Sequence, residues 1–212
     1  MFLALVATEV VHRAASAPSA KHIETPNLSR EMKKAGHVMQ AKLTISPTGK
    51  TLRCDVLQGS DLSAFDDVSC AAFMASTFKP AVDQNGNDAY GVVTARNLFI
   101  DPGKNQELPP ITDLQVAVSR MPQGAGPYAM REAVLTVDAA GNAVSCDSIG
   151  KAAAGPLDKA LCKMALGTLH FAPALDEAGN PVPSVQSFSV MFTAQDGPAK
   201  IEVKDNPHAK QY

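Results

Sequence analysis

Tryptophan is missing from this 212-residue chain, aromatic residues of all kinds make up only 5%, and no run of 18 or more apolar residues occurs. The last absence excludes a full hydrophobic transmembrane helix, which takes about 20 such residues. Charge of one sign is scarce too. Nineteen Lys and Arg stand against 21 Asp and Glu, scattered without a block, so the electrostatic footprint of a nucleic-acid binder is lacking. No G-x-S-x-G, P-loop or H-E-x-x-H sequence appears. The five histidines, His12, His22, His37, His170 and His208, include no i, i+4 pair. Catalysis, a cofactor and a metal site are therefore not expected.

What the chain does have is a phrase written twice. FKPAVDQNGN, Phe78 to Asn87, returns 93 positions later as FAPALDEAGN, Phe171 to Asn180. Upstream, an offset of 92 superposes Gly49 on Gly141, Cys54 on Cys146, Asp55 on Asp147, Asp66 on Asp158 and Cys70 on Cys162. Such order implies an internal repeat of roughly 65 to 70 residues, the size of a small domain.

Each copy begins with alternation. Ala41, Leu43 and Ile45 share one face of a strand, SPTGK makes a turn, and Leu52, Cys54 and Val56 share a face of the next. The second copy repeats this hairpin with Ala133, Leu135 and Val137, the turn DAAGN, then Val144 and Cys146. A helix follows. Ser63 with Asp66 resembles a capping box ahead of Phe65, Val68, Ala72 and Phe73, and Pro156 suits the first helical position ahead of Leu157, Leu161, Met164 and Ala165. In the repeated phrase Phe78 should tuck under the helix end, Pro80 should stop the helix, and Asp83 with Gly86 should turn the chain into a closing strand. The fold class is α+β: two tandem small modules, each a three-stranded antiparallel sheet with one packed helix, in the order strand, strand, helix, strand. The expected divisions are an N-terminal segment 1–29, modules 30–101 and 126–194, a Pro- and Gly-containing connector 102–125, and a polar, loosely held tail 195–212.

Cysteine is the strongest chemical signal. Each pair, Cys54 with Cys70 and Cys146 with Cys162, places one member on the inward face of the second strand and the other on the helix above it. Disulfides and buried free thiols both fit that placement. Repetition of the pair at the same structural positions favours disulfides, each worth about 3 kcal/mol in a loop of this length. Zinc or dithiol redox chemistry would call for C-x2-C spacing. The carboxylates have structural employment: Asp66 and Asp158 at helix starts, Asp83 and Asp176 before turns. At the N-terminus, apolar Phe2–Val11 followed by Ala15-Ser16-Ala17 fits an incomplete export signal as well as it fits a disordered tail, since Glu9 interrupts the run and no basic residue precedes it. Disulfides would tip that balance toward export.

Strand, Gly turn, Cys-bearing strand, Asp-led Cys-bearing helix and F-x-P-A-x-D-x-x-G-N together resemble the TonB C-terminal domain in its Cys-containing form. The resemblance covers about two thirds of the chain, in two copies. It implies a non-catalytic, periplasmic or otherwise exported protein of the Gram-negative envelope. Such a protein engages a protein or peptide partner by strand addition and has a link to outer-membrane transport. Carried onto this sequence, the candidate partner-binding edges are the closing strands. They comprise Val92, Val93, Thr94, Ala95, Arg96, Asn97, Leu98 and Phe99, and Val185, Gln186, Ser187, Phe188, Ser189, Val190, Met191 and Phe192. A structural or self-associating periplasmic protein is the alternative, because closing strands can pair with each other or with a second chain, and an unrecognised enzyme ranks behind both. Intact mass after alkylation without reductant should show all four cysteines blocked; four modified thiols would remove the disulfides and the inference of an oxidising compartment with them.

Overall fold

Met39, Ala41, Leu43 and Ile45 are all 0% exposed, so the first alternating run does bury one face. They belong to β1 (His37–Ile45), which pairs antiparallel with β2 (Thr51–Gln58) across the SPTGK turn. The computed structural model describes residues 12–16, 37–99, 112–149, 155–194 and 201–202. After β2 come α1 (Ser63–Ala75), a hairpin of two-residue strands, β3 (Ala81–Val82) and β4 (Asp88–Ala89), and the closing strand β5 (Gly91–Phe99) on the other side of β1. β6 (Leu114–Val118) precedes a second series in the same order: β7 (Tyr128–Val137), β8 (Ala143–Ile149), α2 (Pro156–Gly167), β9 (Ala174–Leu175), β10 (Pro181–Val182) and β11 (Ser184–Ala194). β12 (Ile201–Glu202) ends the description. Mixed α+β structure was expected, but the short hairpins inside the repeated phrase were not.

The sheets are not separate. β5 and β11 pair in parallel, Val185 opposite Gly91 and Gln186 opposite Val92, and Val185 N–H donates to Tyr90 O at 2.8 Å. One eight-stranded sheet results, with β2 and β1 beyond β5 and with β7 and β8 beyond β11. β6 also lies on β11, in parallel, and β12 lies on β6. The expected connector 102–125 therefore supplies a strand, and of the expected tail, residues 195–200 and 203–212 lie outside the described residues. So do residues 1–11 and 17–29 of the N-terminal segment.

Parallel pairing of equivalent strands puts the helices on opposite faces. Val93 and Ala95 pack in the cluster beneath α1, with Phe65 and Phe73, whereas Phe188, Val190 and Phe192 pack beneath α2, with Leu157 and Leu161. Side chains directly across a ladder share a face. Gly91 lies on the Val93 face, so its partner Val185 points toward the α1 side; it joins that cluster together with Val134. The α1 core thus draws residues from the neighbouring unit's back face.

Local chemistry explains most of the elements and corrects two expectations. Ser63 does not cap α1: Leu62 is the N-cap, without a side-chain bond, and Asp66 reaches back to accept from Ser60 N–H at 2.9 and 3.1 Å. Asp158 does the same for α2, accepting from Gly155 N–H at 3.2 Å with Arg131 Nε 3.5 Å away. Pro80 does not stop α1, which has ended at Ala75. Ser76 is extended, and its hydroxyl donates to Ala72 O at 2.8 Å. The repeated Phe then ties the phrase to the first turn of its unit. Phe78 N–H donates to Gly49 O and Phe171 N–H to Gly141 O, both at 2.8 Å. Both glycines have positive φ, 84° and 89°, and a Cβ on either would run into the carbonyl oxygen of that same Phe.

Cys54 is joined to Cys70 and Cys146 to Cys162, with Cα atoms 5.7 and 5.6 Å apart, stapling each helix to its strand. Because Val134 and Val185 of the second unit complete the α1 core, urea should unfold the chain in one transition. Replacing Cys54 and Cys70 together by Ala should weaken that transition by about 2–4 kcal/mol. Separate melting of one unit beside an intact other would contradict the shared core.

Three turns share D-x-x-G-N: Asp83, Asp138 and Asp176 each accept from the backbone N–H groups two and four residues on, at 2.8–2.9 Å. These bonds, led by the one from Asn87, Asn142 or Asn180, hold each carboxyl below the usual range. A depressed folded value means that the turns contribute fully above the unfolded carboxylate pKa and lose that contribution as pH falls through the folded one. NMR titration should find all three carboxyls still charged at a pH where ordinary aspartates are half protonated.

Candidate functional site

Closing strands were the expected binding edges, and the structure treats the two differently. β11 is interior. β7 covers one side along Ser184–Thr193, and the other side is taken first by β5 and then by β6, from Leu114 opposite Val190 to Val118 opposite Ala194. Val185, Gln186, Ser187, Phe188, Ser189, Val190, Met191 and Phe192 therefore offer no sheet edge. Val190 and Phe192, both at most 1% exposed, pack beneath α2 in one cluster with Leu114 and Val116 of β6. The segment around Leu114–Val118 was expected only as part of the connector, and its alternation of Leu114, Val116 and Val118 is the signal that marks it as a strand.

β5 keeps an open side. It pairs with β1 along its whole length, but β11 leaves it after Val92, and no further strand pairs with it on that side among the described residues. Tyr90 O faces β11, and backbone groups alternate sides along a strand. The N–H and C=O of Thr94 and Leu98 consequently point along the open side, whereas those of Val93, Ala95 and Asn97 serve β1. Side chains alternate as well: Asn97 Nδ2 donates to Ser69 Oγ of α1 at 2.8 Å, and Leu98, on the far face, is 38% exposed. Burial draws the Arg96 guanidinium pKa down from its usual value, which leaves it charged.

Where β5 and β6 part, Asp113 fills the fork. Its N–H donates to Ser189 O at 2.9 Å, and its carboxylate accepts from Ser189 N–H at 2.8 Å, from Ser189 Oγ at 2.9 Å and from Thr94 Oγ1 at 3.3 Å. Lys42 Nζ lies 3.9 Å away. A side chain thus replaces the ladder at the point where β11 changes partner. Asp113 escaped the sequence reading because a single Asp between Pro-rich connector and strand carries no pattern of its own.

Asp66, Asp83, Asp158 and Asp176 accept backbone hydrogen bonds, and all four cysteines are in disulfides. An open depression of about 870 Å³ between loop 120–125 and Pro156 is lined by Arg120, Met121, Pro122, Gln123, Gly124 and Ala125, with no carboxylate, imidazole or thiol. Among the described residues no helix is long and apolar enough to cross a membrane.

Asp113→Ala should cost about 1–3 kcal/mol in urea unfolding, the usual result of stranding a buried donor, here Ser189 N–H. Asp113→Asn, which keeps an acceptor oxygen, should cost less.

No curated protein and no solved structure matches this chain. Residues 21–97 match the family model described as Gram-negative bacterial TonB protein C-terminal, a little over a third of the sequence that contains β1, β2, α1 and nearly all of β5. The N-terminal unit is therefore similar to a TonB C-terminal domain.

Proposed function

We propose that this chain is a non-catalytic cell-envelope protein built from two copies of a TonB C-terminal-like domain, and that it binds an extended segment of an envelope protein by adding it as a strand to the open side of β5. The observation that carries the reading is the combination of the family match over residues 21–97 with a β5 whose outer backbone groups beyond Val92 are not taken by β11. The second copy is supported by its order of elements, its disulfide and its repeated phrase, though the match itself stops short of it. Strand addition supplies affinity through backbone bonds, and flanking side chains select. Here Thr94 and Leu98 present the backbone groups. In this arrangement β11 serves as scaffold, and β6 beside it sets where the added strand must stop. The proposed location is the periplasm, and the likeness to TonB C-terminal domains supports a link to outer-membrane transport as part of the proposal.

A photocrosslinking residue at Leu98 of the full-length chain, expressed in the periplasm of a Gram-negative bacterium, tests this. It should capture an envelope protein that the same residue at exposed Leu166 does not, and Thr94→Pro, which removes one outward N–H, should reduce the adduct on the order of tenfold. Adducts to its own chain alone would identify a self-associating protein and overturn the reading, as would capture indifferent to Thr94→Pro.

A further inference from the structure

A strand has already been added to this molecule, and not at β5. Residues 12–16 run antiparallel to the start of the β3 hairpin: Arg13 exchanges two backbone bonds with Val82, at 3.0 and 2.8 Å, and Ser16 exchanges two with Lys79, at 3.2 and 2.8 Å. Ala15, 6% exposed, sits in the core cluster with Ala81. The floor beneath it is Gly91. A Cβ there would lie 2.7 Å from the Ala15 Cβ and 3.1 Å from that of Ala81, closer than side chains pack. Three residues earlier, His12 is held by the other unit: its Nδ1 is 2.7 Å from Asp147 Oδ2, its Nε2 is 3.2 Å from Thr136 Oγ1, and its side chain is 6% exposed.

We infer that the channel bounded by Lys79–Val82, Gly91, Thr136 and Asp147 is a peptide-binding site selective for an extended segment with alanine or glycine over Gly91 and histidine three residues before it, and that His12–Ser16 occupies it in cis. Three independent features argue for a site rather than casual packing. Four backbone bonds fix the segment's register without regard to its side chains. Gly91 is the one β5 position that leaves room for a methyl group, and the methyl group is there. Both ring nitrogens of His12 have partners, supplied by β7 and β8, so the site is complete only when the two units share a sheet. Arg13 and Ser16 face outward and are exposed, which leaves their identities unconstrained. The ligand class is thus a peptide of pattern H-x-x-A/G. In a chain cut after Ala17 the cis segment would be gone and the channel open to such a peptide in trans.

Ala15→Arg in the full-length chain should expel the cis segment, because the channel has no room for the larger side chain. A fluorescent peptide of residues 10–18 should then bind the variant saturably, and it should bind the unsubstituted chain more weakly by about a hundredfold, the usual advantage of a tethered competitor. The same peptide with leucine in place of Ala15 should not bind. A second measurement is independent of how well that variant folds. Hydrogen exchange at the Arg13 and Ser16 amides should be slow in the unsubstituted chain, fast in Gly91→Ala, and slow again in Gly91→Ala combined with Ala15→Gly. Equal peptide binding to both chains, acceptance of the leucine peptide, or exchange indifferent to Gly91→Ala would each overturn the inference. None of these results bears on the open side of β5, which lies beyond Val92.

Discussion

Two residues of parallel ladder hold this architecture together. Gly91 and Val92 meet Val185 and Gln186, and that meeting makes one sheet, turns the two helices to opposite faces, and commits both sides of β11. It also builds the mixed core, since Val134 and Val185 reach the α1 cluster only because their strands continue the β1–β5 plane. Around this short ladder the chain places reinforcement: Lys50 Nζ meets Glu177 Oε1 at 2.9 Å on the surface, and His12 spans from the β3 hairpin to Asp147. The exposed ion pair adds little by itself. The buried apolar contacts carry the association, at roughly 25 cal/mol per Å² of apolar surface covered.

Gly91 answers two demands at once. It stands opposite Val185 at the seam, beside Tyr90, whose carbonyl bonds β11, and its bare Cα admits Ala15 from above. A larger residue there would crowd the cis strand without gaining packing on β11. The same economy marks the turn glycines: Gly49 and Gly141 need positive φ for their hairpins and also close approach by the Phe carbonyl that follows each helix.

Local features were legible in the sequence wherever period and turn chemistry agree. Alternation at Ala41–Ile45 and Ala133–Val137, helical stripes through Phe65–Phe73 and Leu157–Ala165, and the cysteine spacing all read correctly. Capping was half legible. Asp66 and Asp158 do serve the helix starts, but through backbone donors upstream, whereas Ser63 looked like a cap only because serine usually is one. What sequence could not give is which edge meets which. Val92–Phe99 and Val185–Phe192 have the same pattern by repetition, yet one is half open and the other enclosed, because β6 and β7 find β11 through contacts far apart along the chain. His12 and Ala15 were read for a different purpose altogether, since neither belongs to a periodic run and their partners, Asp147 and Gly91, are remote in sequence.

The distance along the chain between Gly91 and Val185 has a consequence for biogenesis. Contacts within the first unit are local and can form as soon as Phe99 has emerged, whereas the seam must wait for a strand more than ninety residues later, and long loops close late and slowly. During that interval the Gly91 edge stands bare, a surface on which other nascent chains could pair. His12–Ser16 is available early, being the first described segment to be synthesised. By pairing with Lys79–Val82 it roofs the face of Gly91, whereas the backbone edge beside it stays open until β11 arrives.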